Sequence, residues 1–552
     1  MQNMNQSDKP LRRAYGLVWA LTVFGYILIF ALSQNKLIYT DEIVFAQDFN
    51  RVASGLWKEI IIPHPPLYIF LGGFVVSLFG DGFLALRLIG AISFLLTLAL
   101  IPAVCRKLFP ENWLRATVIA HLIWIFHPLA LQGSLLLDID NTIFTPALLL
   151  FIIAASTPRK SIVFIAISLA LLLMCKLLPT SLFIVAGVLA VSFFQRKEWD
   201  KLALGFALGF ALFLGGLITF AQVTGFPLGV LIATFERTGN IAQGTSKLVS
   251  RLVMGGGITA VWIGIPFLAL YVVAVARRLA DWWRSKKVIS SDVLILTAIV
   301  GFALVTVGNE LPMGFPRYHY PLFLLMVLTA SGYLATLKIT RDAALVLCAL
   351  VVIGATYFLL VQPDPLLPQY QLTFETNNMM ERLKFGLNSQ VKSFVIPFAL
   401  MLLAAIFVRK WRPFILACLA FCVASWLITD IAQARADYAT IYEYGRAGGA
   451  ATSDWVKANT LTNALIVAPR EVEWLTKRKT MFIVTQVGPD ATAAGWLAYF
   501  AAEKPSAYVM TTKELQRYTQ ITQNPQVIAY LRACYRQDPP IGSYYMWLRT
   551  CP

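Results

Sequence analysis

Long uninterrupted apolar runs are the feature that most restricts what this chain can fold into. Several reach about 18 residues, a length that crosses the hydrocarbon of a bilayer as a helix and that soluble cores do not use. The composition agrees, because 58% of the 552 residues are hydrophobic and only 14% are charged. The chain is therefore predicted to be a polytopic α-helical membrane protein.

The formal net charge of +17 would suggest nucleic-acid binding in a soluble protein. Here Lys and Arg cluster in short connections between apolar runs, as they do on the cytoplasmic side of membrane proteins. The excess of Lys and Arg thus indicates which connections face the cytoplasm, and no nucleic-acid partner is expected.

Placing the basic connections inside the cell gives about thirteen spans and a multi-pass protein of the cytoplasmic membrane. The predicted spans are 14–33, 84–105, 115–134, 141–157, 161–176, 178–195, 202–224, 255–276, 289–308, 318–336, 342–361, 393–408 and 412–430.

This assignment of inside and outside connections requires that residues 65–79 do not cross the bilayer. The segment is short, is interrupted by Gly72 and Gly73 and starts at a Pro-Pro pair, so we predict an interfacial helix along the outer leaflet. The first external loop then runs from 34 to 83.

After residue 430 the charge rises and the apolar runs shorten to strand length, as at 464–468 and 481–485. Helix-like stretches lie at 471–477 and 513–518. We predict a transmembrane domain over 1–430 and a small α/β domain over 431–552, which is external because an odd number of spans precedes it.

Two cysteines, Cys534 and Cys551, lie in this polar C-terminal region. They can pair as a disulfide if the region faces an oxidising compartment. The other five cysteines lie in or beside apolar runs, and none has metal-ligand spacing.

An acidic pair, Asp41 and Glu42, follows the first apolar run, where the chain leaves the hydrocarbon. A carboxylate at this depth can take the proton of an attacking hydroxyl group, or orient the acceptor, when the substrate lies in the membrane. Charged residues near the membrane are functional candidates by default, although an isolated acidic pair can also simply anchor a span.

Basic side chains on the predicted outer face are candidates for binding a lipid phosphate. They are His64, Arg87, Lys176, Arg317 and His319. Arginine suits bidentate contact with phosphate, lysine acts as a point charge, and a helix start such as the one after His64 favours anions. The alternative for each is snorkelling or a solvated turn, and Lys176 resists that interpretation best because it has no polar neighbour in sequence.

A second acidic motif contains Asp138 and Asp140, which could orient an acceptor or hold a divalent metal ion. Acids two residues apart do not face each other on a helix, so we expect a loop or a distorted span end, with Asp140 capping a span that starts near Asn141. Without a further acid or histidine nearby, the pair falls short of a metal site in sequence, so the sequence requires no cofactor and leaves a bound divalent ion as an open alternative.

The order of these motifs resembles that of the GT-C glycosyltransferases, with the protein O-mannosyltransferases and the lipid A aminoarabinose transferases as the most similar families. The similarity covers roughly residues 10–340. It consists of Asp41-Glu42, the run His64-Pro65-Pro66-Leu67-Tyr68, Arg87, the Asp138 and Asp140 motif, Lys176 and the run Arg317-Tyr318-His319-Tyr320-Pro321.

The resemblance implies an inverting transferase that takes a sugar from a polyprenyl-phosphate carrier on the outer face of the membrane. The acceptor would be a lipid, a glycan or a protein. By position, Asp41 matches the catalytic acid and Glu42 its neighbour. His64 matches the histidine of the mannosyltransferase motif, where aminoarabinose transferases typically have lysine. Either Asp138 or Asp140 matches the second acidic motif.

A lipid or sugar transporter, or a flippase, is the alternative from another class. Such proteins often show repeated halves and charges near the middle of the membrane. In this sequence the polar clusters gather on one predicted face and no internal repeat is visible, which favours the transferase.

Overall fold

The structure is a computed structural model of the whole chain. The residues that it describes are 9–32, 40–61, 64–156, 161–176, 187–188, 190–191, 198–229, 231, 260, 263–307, 320–337, 349–356, 360, 419–428, 430–431, 448–480 and 492–551. Contacts divide the chain into two compact units. The first comprises Met1–Gln34, Phe45–Pro368 and Leu383–Ala434, and the second comprises Asn35–Val44, Gln369–Arg382 and Arg435–Pro552.

The first unit is helical, as its apolar composition predicts. The helices that precede the C-terminal region are α1 (Lys9–Leu32), α2 (Thr40–Ala53), α3 (Leu67–Phe79), α4 (Phe83–Leu108), α5 (Trp113–Phe126), α6 (Pro128–Gly133), α7 (Phe144–Ser156), α8 (Ile162–Cys175), α9 (Trp199–Thr224), α10 (Ile265–Ser285), α11 (Asp292–Val307) and α12 (Tyr320–Ala335). A helical stretch also covers Leu419–Ile428.

Two helices of the described chain are individually long and apolar enough to cross a bilayer. They are Leu84–Leu108 and Trp199–Thr224, with mean hydropathies of 2.4 and 2.2. Several shorter apolar helices lie within other predicted spans. The predicted spans 178–195 and 393–408 fall largely or wholly outside the described residues. The number of spans therefore stays a prediction.

The predicted span 115–134 is broken into α5 and α6. His127, between them, has an extended backbone with φ −84° and ψ 122°, the conformation that a following proline favours by steric exclusion of the helical region. The Nδ1 atom of His127 accepts the N–H of Leu129 at 3.0 Å, and its Nε2 atom donates to the carbonyl of Ile263 at 2.9 Å. His127 is thus a neutral, packed side chain that closes this break.

Helix α3 lies within the segment predicted as an interfacial helix, and it packs closely on α2. A Cβ atom at Gly72 would lie 2.2 Å from the ring of Phe49, and one at Gly73 would lie 2.2 Å from Val52. Tyr68 meets Phe49 edge to face, with ring centroids 5.3 Å apart. Glycines at these positions let the two helix backbones approach.

The loop that follows α2 is tied back to that helix by a buried carboxylate. Asp48 accepts the Nη1–H of Arg51 at 2.5 Å and the backbone N–H of Ile61 at 3.1 Å. Because Asp48 is fully buried, these partners compensate for its loss of water.

The C-terminal region, from 448 onward, is an α/β domain. Its helices are α13 (Gly449–Asn459), α14 (Arg470–Thr476), α15 (Ala493–Glu503), α16 (Thr512–Arg517), α17 (Thr519–Thr522) and α18 (Pro525–Cys534). Its strands are β1 (Leu465–Val467), β2 (Lys479–Thr480), β3 (Ala507–Thr511), β4 (Tyr535–Ile541) and β5 (Tyr544–Arg549).

The sheet of this domain has the order β2-β1-β3-β5-β4. Strand β1 pairs in parallel with β2 and β3, whereas β5 runs antiparallel to β3 and β4. Helix α18 leads into β4, and a disulfide joins Cys534 to Cys551, with 4.7 Å between their Cα atoms. The predicted strand at 464–468 and helix at 471–477 coincide with β1 and α14, and 481–485 lies outside the described residues.

Candidate functional site

A buried polar segment before α7 is the most distinctive chemical feature of the first unit. We call residues 138–142 the acidic turn. Asp138, Asp140 and Asn141 are all buried there. Such a concentration of polar side chains inside a membrane protein is costly, so it marks a functional site unless the structure compensates each group.

Hydrogen bonds to the backbone hold the acidic turn in shape. The backbone N–H of Asp140 donates to Oδ1 of Asp138 at 2.9 Å. Thr142 donates its hydroxyl to the carbonyl of Asp138 at 2.5 Å, and Thr145 donates to the carbonyl of Asp140 at 3.0 Å. Aspartate and threonine side chains stabilise turns in this way. The two acids therefore lie in a turn, the arrangement that their spacing predicts.

The expectation that Asp140 caps a helix beginning near Asn141 is wrong. Helix α7 begins at Phe144, and the carboxylate of Asp140 pairs with Lys176 instead. The side chains of Lys176 and Asp140 are only 3% and 4% exposed. A charged lysine offers a stronger partner than a helix N-terminus, which carries only about half an elementary charge.

Lys176 occupies the end of α8, in an extended conformation with φ −156° and ψ 124°. Its neighbour Cys175 donates its thiol to the carbonyl of Ile143 at 3.8 Å. The end of α8 is thus joined to the start of α7 by a thiol contact and by a buried ion pair. Sequence reasoning missed Asp140 as the partner of Lys176, because the two residues are 36 positions apart in the chain.

Arg87 is buried on α4, on the side of that helix that meets the segment before α7. A Cβ atom at Gly90 would lie 1.9 Å from the carbonyl oxygen of Ser134 and 3.4 Å from Cγ2 of Thr142. Residues three apart lie on one face of a helix, so Arg87 shares this face with Gly90. Helix α4 therefore brings the guanidinium-bearing face towards the acidic turn.

His64 is half-buried and stands immediately before Pro65, Pro66 and the start of α3. Helix α3 packs on α4 and also contacts α8. The histidine is therefore held at the beginning of a helix that touches the helices bearing Arg87 and Lys176.

The structure describes only some of the remaining predicted site residues. Asp41 and Glu42 are in the first turn of α2, where Glu42 is buried. Arg317 and His319 lie outside the described residues. Among the residues that the structure describes, no three His, Cys, Asp or Glu side chains are grouped as in a metal site.

A known protein family matches the stretch of chain that contains these residues. Residues 63–222 match the family model described as dolichyl-phosphate-mannose-protein mannosyltransferase. This match contains the histidine motif, Arg87, the acidic turn and Lys176. No curated protein sequence matches the chain.

The structure superposes on ArnT from Cupriavidus metallidurans bound to undecaprenyl phosphate with a TM-score of 0.62 and 15% identity, over 97% of this chain and 98% of that one. The apo state of the same protein gives a TM-score of 0.60 and 16% identity, over 97% and 98%. The chain therefore shares the fold of ArnT. At such low identity the likeness establishes the fold, which is mostly helical and carries a small C-terminal sheet.

Within this fold, the predicted site residues differ in the contacts that hold them. Asp138 shapes the acidic turn, Asp140 pairs with Lys176, and Arg87 is buried on the adjoining helix face. Asp48, which lies between Asp41 and the histidine motif in sequence, is a structural clamp. Its i, i+3 spacing to Arg51 is the signal by which that contact can be recognised.

Proposed function

We propose that this protein is an inverting glycosyltransferase. It would move a sugar from a polyprenyl-phosphate carrier to a lipid, glycan or protein acceptor at the outer face of the cytoplasmic membrane. The observation that carries the proposal is the fold, which over nearly the whole chain is that of ArnT bound to undecaprenyl phosphate. The ordered set of acids and cations in the sequence, and the match to a mannosyltransferase model over 63–222, support it.

The proposed reaction is a single in-line displacement. The acceptor oxygen or nitrogen attacks the anomeric carbon as the bond from that carbon to the phosphate oxygen breaks, and the electron pair leaves on the phosphate. Asp41 takes the acceptor's proton or orients the acceptor. Asp41 belongs to the first turn of α2.

Cations are proposed to stabilise the negative charge that develops on the departing carrier phosphate. Arg87, Lys176, Arg317 and His319 are the candidates, and His64 at the start of α3 is a further donor. A phosphate of low basicity needs no general acid to leave. Pairing with Asp140 is compatible with this role for Lys176, since an ammonium group has three donor hydrogens.

The structure suggests different tasks for the acids of the second motif. Asp140 would position the ammonium group of Lys176, and Asp138 would keep the turn in shape through the N–H of Asp140. Both are then positioning residues, whereas Asp41 acts on the acceptor. A divalent metal ion at the acidic turn stays a prediction.

The test is release of free polyprenyl phosphate by purified, lipid-reconstituted protein supplied with polyprenyl-phosphate-linked sugars. Asp41→Asn keeps the shape of the side chain and removes its charge, and loss of a general base typically costs about 10²- to 10⁴-fold in rate. Asp81→Asn, at an exposed acid of the same predicted loop, is the matched control.

Transfer by Asp41→Asn at a rate close to that of Asp81→Asn would reject the role of Asp41. Movement of the intact lipid-linked sugar across the bilayer, without release of polyprenyl phosphate, would identify the transporter alternative instead.

A further inference from the structure

The C-terminal end of α10 is a strongly basic surface that the proposed reaction does not use. We call residues 277–287 the basic helix end. From Ala276 to Lys287 the residues are exposed, except for Arg278, which is half-buried. The exposed cations are Arg277, Arg284, Lys286 and Lys287, and Asp281 is the acid among these residues.

The basic helix end is amphipathic although it is exposed. Residues three, four or seven apart share one face of a helix. Leu279, Trp282 and Trp283 therefore lie on one face, and Arg277 and Arg284 lie on another. Trp283 is 70% exposed and Trp282 is 40% exposed. A face with two exposed indoles beside a cationic face is typical of a helix at a membrane interface.

The turn after the helix directs a lysine back over these indoles. Lys286 has a left-handed backbone with φ +54°, and its N–H donates to the carbonyl of Trp282 at 2.7 Å. Its ammonium nitrogen lies 4.0 Å from the ring centroid of Trp283 and 5.4 Å from that of Trp282. The left-handed residue is thus what brings the cation to the aromatic face.

A bidentate ion pair holds this turn. Arg278 donates from Nε and Nη2 to the two carboxylate oxygens of Asp292, at 2.5 and 2.7 Å. The same guanidinium donates to the carbonyl of Lys287 at 2.7 Å, and Asp292 accepts the N–H of Ile289 at 2.9 Å. The pair neutralises Arg278 and sets the backbone course that presents Lys286 and Lys287. The exposed cations are therefore preorganised beside the indoles.

From this arrangement we propose that the basic helix end binds the headgroup of an anionic phospholipid. Lys286, Lys287 and Arg284 contact the phosphate, and Trp282 and Trp283 contact the glycerol and the first carbons of the chains. The positive-inside pattern puts this connection on the cytoplasmic side, so the bound lipid belongs to the inner leaflet. The combination of cations with exposed indoles favours a lipid over a soluble anion, which has no apolar part to cover the rings.

The test uses the full-length protein in detergent micelles and measures binding of short-chain phosphatidylglycerol and phosphatidylcholine at physiological salt. We expect a preference for phosphatidylglycerol. Each juxtamembrane cation typically contributes about 1 kcal/mol, or about fivefold, so Lys286→Gln with Lys287→Gln should weaken phosphatidylglycerol binding by about 25-fold. Trp283→Ala should weaken the binding of both lipids, because the indole contacts the part that they share.

Lys201→Gln is the control, because the Lys201 side chain is 43% exposed but already pairs with Glu198 at 2.8 Å. It should leave lipid binding unchanged. All variants lie on the surface, and an unaltered melting temperature verifies their folding.

Equal binding of the two lipids by the wild-type protein would overturn the proposal, and so would an equal loss in Lys201→Gln. Displacement of phosphatidylglycerol by poly-glutamate would identify a soluble acidic partner instead.

Discussion

Breaking the buried ion pair between Lys176 and Asp140 should destabilise this protein strongly. Both side chains are almost fully buried, at 3% and 4% exposure. Two unit charges about 4 Å apart attract by about 4 kcal/mol at an effective dielectric constant near 20. Removal of one partner of a buried pair costs a similar amount, about 3–5 kcal/mol, because it leaves an uncompensated charge. Lys176→Met should therefore raise the unfolded-to-folded ratio about 10³-fold.

A double substitution separates the energy of the lost attraction from the cost of burying one charge without its partner. Lys176→Met with Asp140→Leu removes both charges, and apolar replacement of a whole buried pair is often neutral or stabilising. The backbone N–H and carbonyl of Asp140 keep their hydrogen bonds to Asp138 and Thr145 in this variant, since neither involves the substituted side chain. Stability should return towards the wild-type value, whereas sugar transfer should stay impaired.

Unfolding by SDS in mixed micelles, followed by tryptophan fluorescence, measures these free energies. The control is Lys201→Met, which breaks an ion pair whose members are 43% and 35% exposed. Water already solvates that pair, so far less stability should be lost. The reasoning is refuted if Lys176→Met unfolds like Lys201→Met, or if the effects of the two substitutions at the buried pair simply add.

Two further predictions concern packing and the C-terminal domain. Cys534→Ser should lower the free energy of unfolding of the C-terminal domain by about 3 kcal/mol, because the disulfide to Cys551 closes a 17-residue separation. Thermal unfolding of the full chain, with and without reductant, measures this loss. An unchanged transition would contradict the prediction. Gly72→Ala should lower the free energy of unfolding by about 1–3 kcal/mol through overpacking, because its Cβ atom would lie 2.2 Å from the ring of Phe49. Gly82→Ala is the control, because its Cβ atom would meet no atom within 4 Å. Equal stabilities of the two variants would refute the predicted contact.

Local patterns were enough to predict the helical character of the chain and several of its elements. Apolar runs indicated helices at α4, α8 and α9, and the Pro-Pro start with the Gly-Gly pair indicated the separate helix α3. The break between α5 and α6 was missed, because a single Pro128 interrupts an otherwise continuous apolar run. In the C-terminal domain, β1 and α14 were predicted, whereas β4 was missed, since its sequence contains Pro539 and Pro540 and lacks a regular apolar alternation.

The ion pair between Asp140 and Lys176 depended on distant parts of the chain. Sequence spacing placed Asp138 and Asp140 in a loop, yet it gave Asp140 a capping role that the structure reassigns to pairing with Lys176. The partner of Lys176 could not be predicted from its neighbours in sequence either. Its flanking residues are apolar, and its partner comes from a turn 36 residues earlier.

The sequence by itself determined the helical character of this chain and named the charged side chains that are candidates for its chemistry, because hydrophobic length and residue type are local properties of the chain. Only the tertiary structure decided which of those charges compensate one another. Lys176 meets Asp140 because α8 ends beside the acidic turn, and Lys286 lies over Trp283 because a left-handed residue and the Arg278–Asp292 pair turn it back. Such pairings depend on how elements pack, which no short stretch of sequence encodes.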